Sequence, residues 1–199
     1  MAPKLHYAEI SPAVRASLLA VKALGIQVDL NPVDLTAHDH LTPEFLRLNP
    51  MHTVPTLEDG DFAIWDSHAI NAYLTEKYGK DDALYPKDLQ KRAVVNQRMY
   101  FDCGILFPRL LAIVVPIFRQ GVTSTLLERS TYVAGEELSL ADFSIVATVT
   151  TSNILVPIEA QKFPKITEYV KRMQALPYYA EANQDGLDKF EKIMKSKLA

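Results

Sequence analysis

The sequence predicts an α/β domain followed by an all-α domain, and three observations carry that expectation. Short apolar runs alternate with helix-spaced apolar positions through residues 1–79, the pattern of strands interleaved with helices. The segment Gly79-Lys80-Asp81-Asp82-Ala83-Leu84-Tyr85-Pro86 then has turn composition, which makes residues 80–87 the expected linker. Over residues 88–199 the periodicity is mainly helical, without internal repeats or low-complexity tracts.

Leu5 to Tyr7 reads as the first strand. Ser11-Pro12 opens a helix, because serine is a favoured N-cap and proline suits the first helical position; Val14, Leu18, Leu19, Val21 and Leu24 continue it. Gln27 to Val33 reads as a strand and Pro43 to Leu48 as a short helix. In Asn49-Pro50-Met51-His52-Thr53-Val54-Pro55 the last proline precedes a strand. Only X-Pro bonds reach the cis form cheaply, and a cis bond there turns the chain while leaving the Val54 backbone free to pair. Thr56-Leu57 and Phe62-Ala63-Ile64 form a hairpin about an expected Asp59-Gly60 turn. Asp66-Ser67 begin a further helix carried by Ile70, Tyr73, Leu74 and Tyr78. The resulting β-α-β-α-β-β-α order is that of a thioredoxin-like domain.

In the second half, Phe107, Leu111, Val114 and Phe118 recur at helical spacing, and Met99, Cys103, Leu106 and Leu110 form a second stripe. One stripe packs inside the helical domain and part of the other is available to line a pocket. Cys103 reads as a small packing residue. Pro108 is expected to kink this helix or remove one of its hydrogen bonds. Ser139 with Asp142 resembles a capping box, and Leu138 with Phe143 its hydrophobic staple.

Composition narrows the function. The 199 residues, 48% hydrophobic and 23% charged, suffice for a full core. A net charge of −3 with scattered Lys and Arg argues against nucleic acid as a partner. The single cysteine, Cys103, excludes an internal disulfide and a Cys-x-x-Cys metal or redox site. The apolar run from Ile105 to Phe118 is short and broken by Pro108, Arg109 and Pro116, so no membrane span is expected; neither is a signal segment, and the expected location is cytoplasmic.

Ser11 carries two readings: a plain helix cap, or a hydroxyl beside unpaired amide donors at the positive end of a helix, where an anionic group is favoured. The order Ser-Pro, His40, Asn49-Pro50-Met51-His52-Thr53-Val54-Pro55-Thr56-Leu57, then Asp66-Ser67-His68-Ala69-Ile70, resembles the N-terminal domain of cytosolic glutathione transferases of the insect delta and epsilon classes. His68, where delta enzymes have arginine, leans toward epsilon. Asp66 stands where both classes have glutamate, which shortens the carboxylate's reach. Tyr132-Val133-Ala134-Gly135 and Leu138-Ser139-Leu140-Ala141-Asp142 match the start of the family's buried sixth helix. Between Arg119 and Thr131, however, the family's long return helix looks short by about fifteen residues at 1.5 Å each.

The resemblance implies glutathione as co-substrate, with Ser11 as the thiolate stabiliser. It implies His40 and His52 near the glycyl end, Val54 pairing main chain to main chain beside cis-Pro55, and Asp66, Ser67 and His68 at the γ-glutamyl end. His38 reads as an ordinary loop residue. Phe107, Leu111, Val114 and Phe118 are expected beside a hydrophobic electrophile, and a homodimer through the third and fourth helices is implied. The expected activity is conjugation of glutathione to electrophilic compounds in detoxification, with dehydrochlorination as a variant. The alternatives are a non-catalytic carrier of glutathione and hydrophobic ligands, or a transferase-like interaction module.

Overall fold

The computed structural model describes residues 2–35, 37–111, 127, 130–155 and 157–198. Strand β1 (Lys4–Tyr7) leads into helix α1 (Pro12–Leu24), and β2 (Asp29–Pro32) returns parallel to β1. After a 3-10 turn and α2 (Pro43–Leu48) come the antiparallel hairpin β3 (Thr56–Asp59) and β4 (Phe62–Trp65), then α3 (Ser67–Tyr78). The sheet order is β2-β1-β3-β4, with β1 and β3 antiparallel. This is a thioredoxin-like domain.

The hairpin differs from expectation by one residue. Asp59 pairs with Phe62, so the two-residue turn is Gly60-Asp61 rather than Asp59-Gly60. Gly60 takes φ 64, the first-position geometry that glycine adopts without steric cost. Strand β2 is shorter than the strand expected from Gln27 to Val33; it lies at the sheet edge with all its residues exposed.

In the helical part of the chain, Asp88 caps α4 (Leu89–Phe101) by accepting the Lys91 amide at 2.9 Å. A π-turn (Asp102–Leu106) follows, then α5 (Phe107–Leu111). Here the effect expected of Pro108 appears. The Phe107 amide bonds back five residues to Asp102, and the widened turn precedes the residue that has no N–H to give. Further on come α6 (Leu140–Leu155), α7 (Pro164–Gln174), a second π-turn (Ala180–Gln184) and α8 (Asp185–Leu198). The expected shortfall before Thr131 lies outside the described residues.

Helix α1 is shared by two cores. Val21 joins Leu5, Leu57, Ile70 and Leu74 against the sheet, whereas Leu19 and Ala20 join Met99, Phe143, Ile145, Tyr169 and Met173 in the helical domain. α6 is buried from Leu140 to Ser152, as a helix surrounded on all sides must be. Its entry differs from a standard capping box. Ser139 does not accept the Asp142 amide with its side chain; its hydroxyl donates to the Asp142 carboxylate at 3.0 Å, and the Asp142 amide goes to the Ser139 carbonyl. The same carboxylate accepts the amides of Ser139 at 2.9 Å and Val133 at 3.0 Å. Burial pushes the Asp142 carboxyl up to about 6, against those donors.

Candidate active site

Two helix N-termini and one loop of the first domain face a cavity of about 570 Å³, closed on its far side by the helical domain. Ser11 lies outside the helix at φ −75 and ψ 122, and its Oγ accepts the Val14 amide at 3.4 Å. That bond uses an oxygen lone pair and leaves the hydroxyl hydrogen available. Capping and donation into the cavity are therefore compatible at one serine.

Opposite runs the loop from Asn49 to Pro55, braced from within by a fully buried amide. Asn49 Nδ2 is shared among Thr53 O, Thr53 Oγ1 and Thr56 Oγ1, each at 3.0 Å, while its Oδ1 accepts the Met51 amide at 2.9 Å. The Val54-Pro55 bond is cis. Among the described residues the main-chain groups of Val54 have no hydrogen-bond partner, so an extended ligand strand has an N–H and a C=O to pair with. Within this loop His52 takes φ 47, its ring 6.1 Å from that of His40. His40 Nδ1 is buried with no partner among the described residues, an orphan that a polar ligand would satisfy.

At α3, Asp66 sits at φ 73 and caps the helix, its Oδ1 accepting the amides of His68 at 2.9 Å and Ala69 at 3.2 Å. Its Oδ2 has no protein partner among the described residues. Ser67 is the first residue of the helix, 5% exposed. His68 reaches two carboxylates, Nδ1 to Asp66 Oδ1 at 3.2 Å and Nε2 to Asp102 Oδ2 at 3.0 Å. Burial opposes its charge, but the hydrogen bonds to Asp102 and Asp66 outweigh it and raise the imidazole to about 9. His68 is a cation at neutral pH.

The structure thus gathers Ser11, His40, His52, Val54, Pro55, Asp66, Ser67 and His68 around one cavity, with Phe107 across from them. Leu111 closes α5, and Val114 and Phe118 lie outside the described residues. Two readings change. His38, read as an ordinary loop residue, stands on the rim at φ 65 with its ring 6.1 Å from His40. Cys103, read as packing, is exposed and lines the cavity, because the π-turn rotates it out of the stripe that keeps Met99, Leu106 and Leu110 buried. Its thiol is pushed up by burial and by the charges of Asp66 and Asp102.

Among the lining residues that escaped the sequence reading are the polar Asp102, Ser144 and Thr148 of the helical domain. Their signal was present. Asp102 is a charge inside an otherwise apolar stripe, and Ser144 and Thr148 are polar positions four apart in the apolar helix α6. Asp102 is 3% exposed and its Oδ1 has no partner among the described residues.

The fold and this cavity define a class: a thioredoxin-like domain joined to a helical one, with a serine where dithiol enzymes carry their cysteines. Family models for the glutathione S-transferase N-terminal domain and C-terminal domain match residues 10–77 and 121–177. Glutathione S-transferase 1 of Manduca sexta is 41% identical over 217 aligned residues, covering 100% of both chains. Among solved structures, an epsilon-class glutathione S-transferase from the housefly, Musca domestica, superposes with TM-score 0.93 at 45% identity, covering 98% of each chain. A glutathione transferase homologue from Drosophila mojavensis, solved with bound glutathione, gives TM-score 0.91 at 42% identity over 98% of this chain and 97% of that one. The chain belongs to the glutathione transferase family.

Proposed function

We propose that this chain activates glutathione at Ser11 and transfers it to hydrophobic electrophiles. The observation that carries the reading is Ser11 at the N-terminus of α1, lining the cavity together with Val54-Pro55, its Oγ only accepting among the described residues, so that its O–H remains available to donate. A free cysteine-type thiol has a pKa of about 8.5, and lowering it by about two units takes roughly 2.7 kcal/mol. A hydroxyl donating to the thiolate supplies about 1.5–3 kcal/mol and the helix N-terminus about 0.3–1 kcal/mol. Together they meet the requirement. The thiol proton leaves to solvent, the thiolate forms the sulfur–carbon bond, and the leaving group departs with its bonding electrons.

In this reading His40 and His52 hold the glycyl end, Val54 pairs with the cysteinyl backbone, and Asp66, Ser67 and His68 hold the γ-glutamyl group. The unpartnered Asp66 Oδ2 and the Ser67 amide at the helix start suit an ammonium and a carboxylate respectively. Phe107 and the wall from α6 receive the electrophile. Residues 1–79 form the glutathione-binding unit and 88–199 the unit completing the electrophile site. Homodimerisation belongs to the same reading, supported by apolar side chains left exposed on α4, Leu89, Val94 and Tyr100. So does a cytoplasmic location, on the resemblance to cytosolic enzymes.

The test is the ultraviolet absorbance of the thiolate of bound glutathione as a function of pH, wild type against Ser11→Ala. A depressed midpoint that rises in the variant, with a fall of about tenfold or more in kcat/KM for a chromogenic electrophile at neutral pH, is expected. Binding with no depression overturns the reading in favour of a carrier.

A further inference from the structure

Arg15 stands one turn after Ser11 on α1 and is 1% exposed. Guanidinium groups are rarely so buried without a carboxylate, and among the described residues Arg15 has no ion-pair partner. Its donors go instead to neutral oxygens. Nε donates to Asn183 Oδ1 at 3.0 Å, Nη1 to the carbonyls of Ile10 at 2.9 Å and Glu9 at 3.2 Å, and Nη2 to Thr151 Oγ1. Burial lowers the group to about 10, so it stays charged at neutral pH.

Glu9 and Ile10 are the two residues that deliver Ser11 to the cavity. The Ile10–Ser11 peptide plane is held at both ends, its oxygen by Arg15 and its N–H by the Ala8 carbonyl at 2.9 Å. The other two acceptors of the guanidinium belong to the helical domain, Thr151 to α6 and Asn183 to the π-turn before α8. Asn183 is itself fixed, donating to Tyr179 Oη at 2.8 Å. α8 presses on the same loop from behind: a Cβ on Gly186 would stand 2.1 Å from the Glu9 carbonyl oxygen and 2.9 Å from Arg15 Cδ. Lys189 of α8 pairs with the Glu9 carboxylate.

We infer that Arg15 is a positioning residue for the Ser11 hydroxyl, setting its direction into the cavity by locking the Glu9 and Ile10 carbonyls to α6 and the segment before α8. A planar fork with donors in fixed directions does this; an ammonium, with its charge at one point, holds fewer of the four oxygens in place. The inference rests on the reading of Ser11 as thiolate stabiliser.

The experiment compares full-length wild type, Ser11→Ala, Arg15→Lys and Thr151→Val by thiolate absorbance of bound glutathione against pH, with calorimetric binding of glutathione and thermal melting alongside. In Arg15→Lys the midpoint is expected to rise by about one unit, from about 6.5 to about 7.5, a roughly threefold loss of thiolate at about pH 7, while the dissociation constant stays within about threefold. Thr151→Val, which removes one acceptor of the guanidinium, shifts the midpoint the same way by less. A purely structural role predicts lower melting temperatures with wild-type titration, and that result, with Ser11→Ala shifted, overturns the inference alone. An unshifted Ser11→Ala overturns the reading beneath it. If Arg15→Lys does not fold, the Thr151→Val titration decides: raised supports, unchanged overturns.

Discussion

His68 Nε2 lies 3.0 Å from Asp102 Oδ2, so a side chain at the start of α3 is tied directly to the π-turn of the helical domain. The imidazole is 12% exposed and the carboxylate 4%, which makes this a buried junction between the two halves of the cavity. Because the folded His68 titrates at about 9 against an ordinary 6.5, the folded state binds its proton more tightly. The stability this contributes is complete below pH 6.5, declines as pH rises toward 9 and is absent above it. Asp102→Asn is expected to cost about 1.5–3 kcal/mol near pH 6, and the two proteins to converge near pH 10. Urea denaturation at the two pH values checks this; a difference independent of pH would show that His68 is not the partner that matters.

Asp142 gathers the amides of Val133 and Ser139 and the Ser139 hydroxyl on one fully buried carboxylate. Alanine there leaves two buried N–H groups unpaired at about 1–3 kcal/mol each, so Asp142→Ala is expected to lose about 2–6 kcal/mol. Denaturant midpoints measure the loss. Residual folded protein should still bind glutathione, because Asp142 does not line the cavity.

Cys103 offers a probe of occupancy. Its thiol faces the cavity but is held above the ordinary range by burial and by Asp66 and Asp102, so alkylation by iodoacetamide near neutral pH should be slower than that of a free cysteine. Saturation with an S-alkyl glutathione conjugate should slow it several-fold more. Labelling at an unchanged rate in the saturated protein would place the ligand elsewhere.

The helix starts and the loop that carry the first-domain lining of the cavity were legible because they follow local rules, whereas the roles of His40, His52 and His68 came only from the family resemblance. Ser11-Pro12 and Asp66-Ser67 announce helix starts through capping chemistry, and Val54-Pro55 announces a cis-proline loop through the one residue type that permits it cheaply. The hairpin turn was displaced by one residue because only the cross-strand pairing of Asp59 with Phe62 fixes its register.

The sequence by itself determined the α/β and all-α division and the order of the first domain's elements, which follow from periodicity and capping, and its resemblance to a family motif pointed to first-domain residues that line the cavity. Only the tertiary structure decided that Asp102 meets His68 across 34 positions, that Arg15 joins the Ser11 loop to Asn183 across 168, and that Cys103 turns toward the cavity. Such contacts depend on how helices pack and where a π-turn shifts their phase, and side-chain partners distant along the chain leave no local pattern to read.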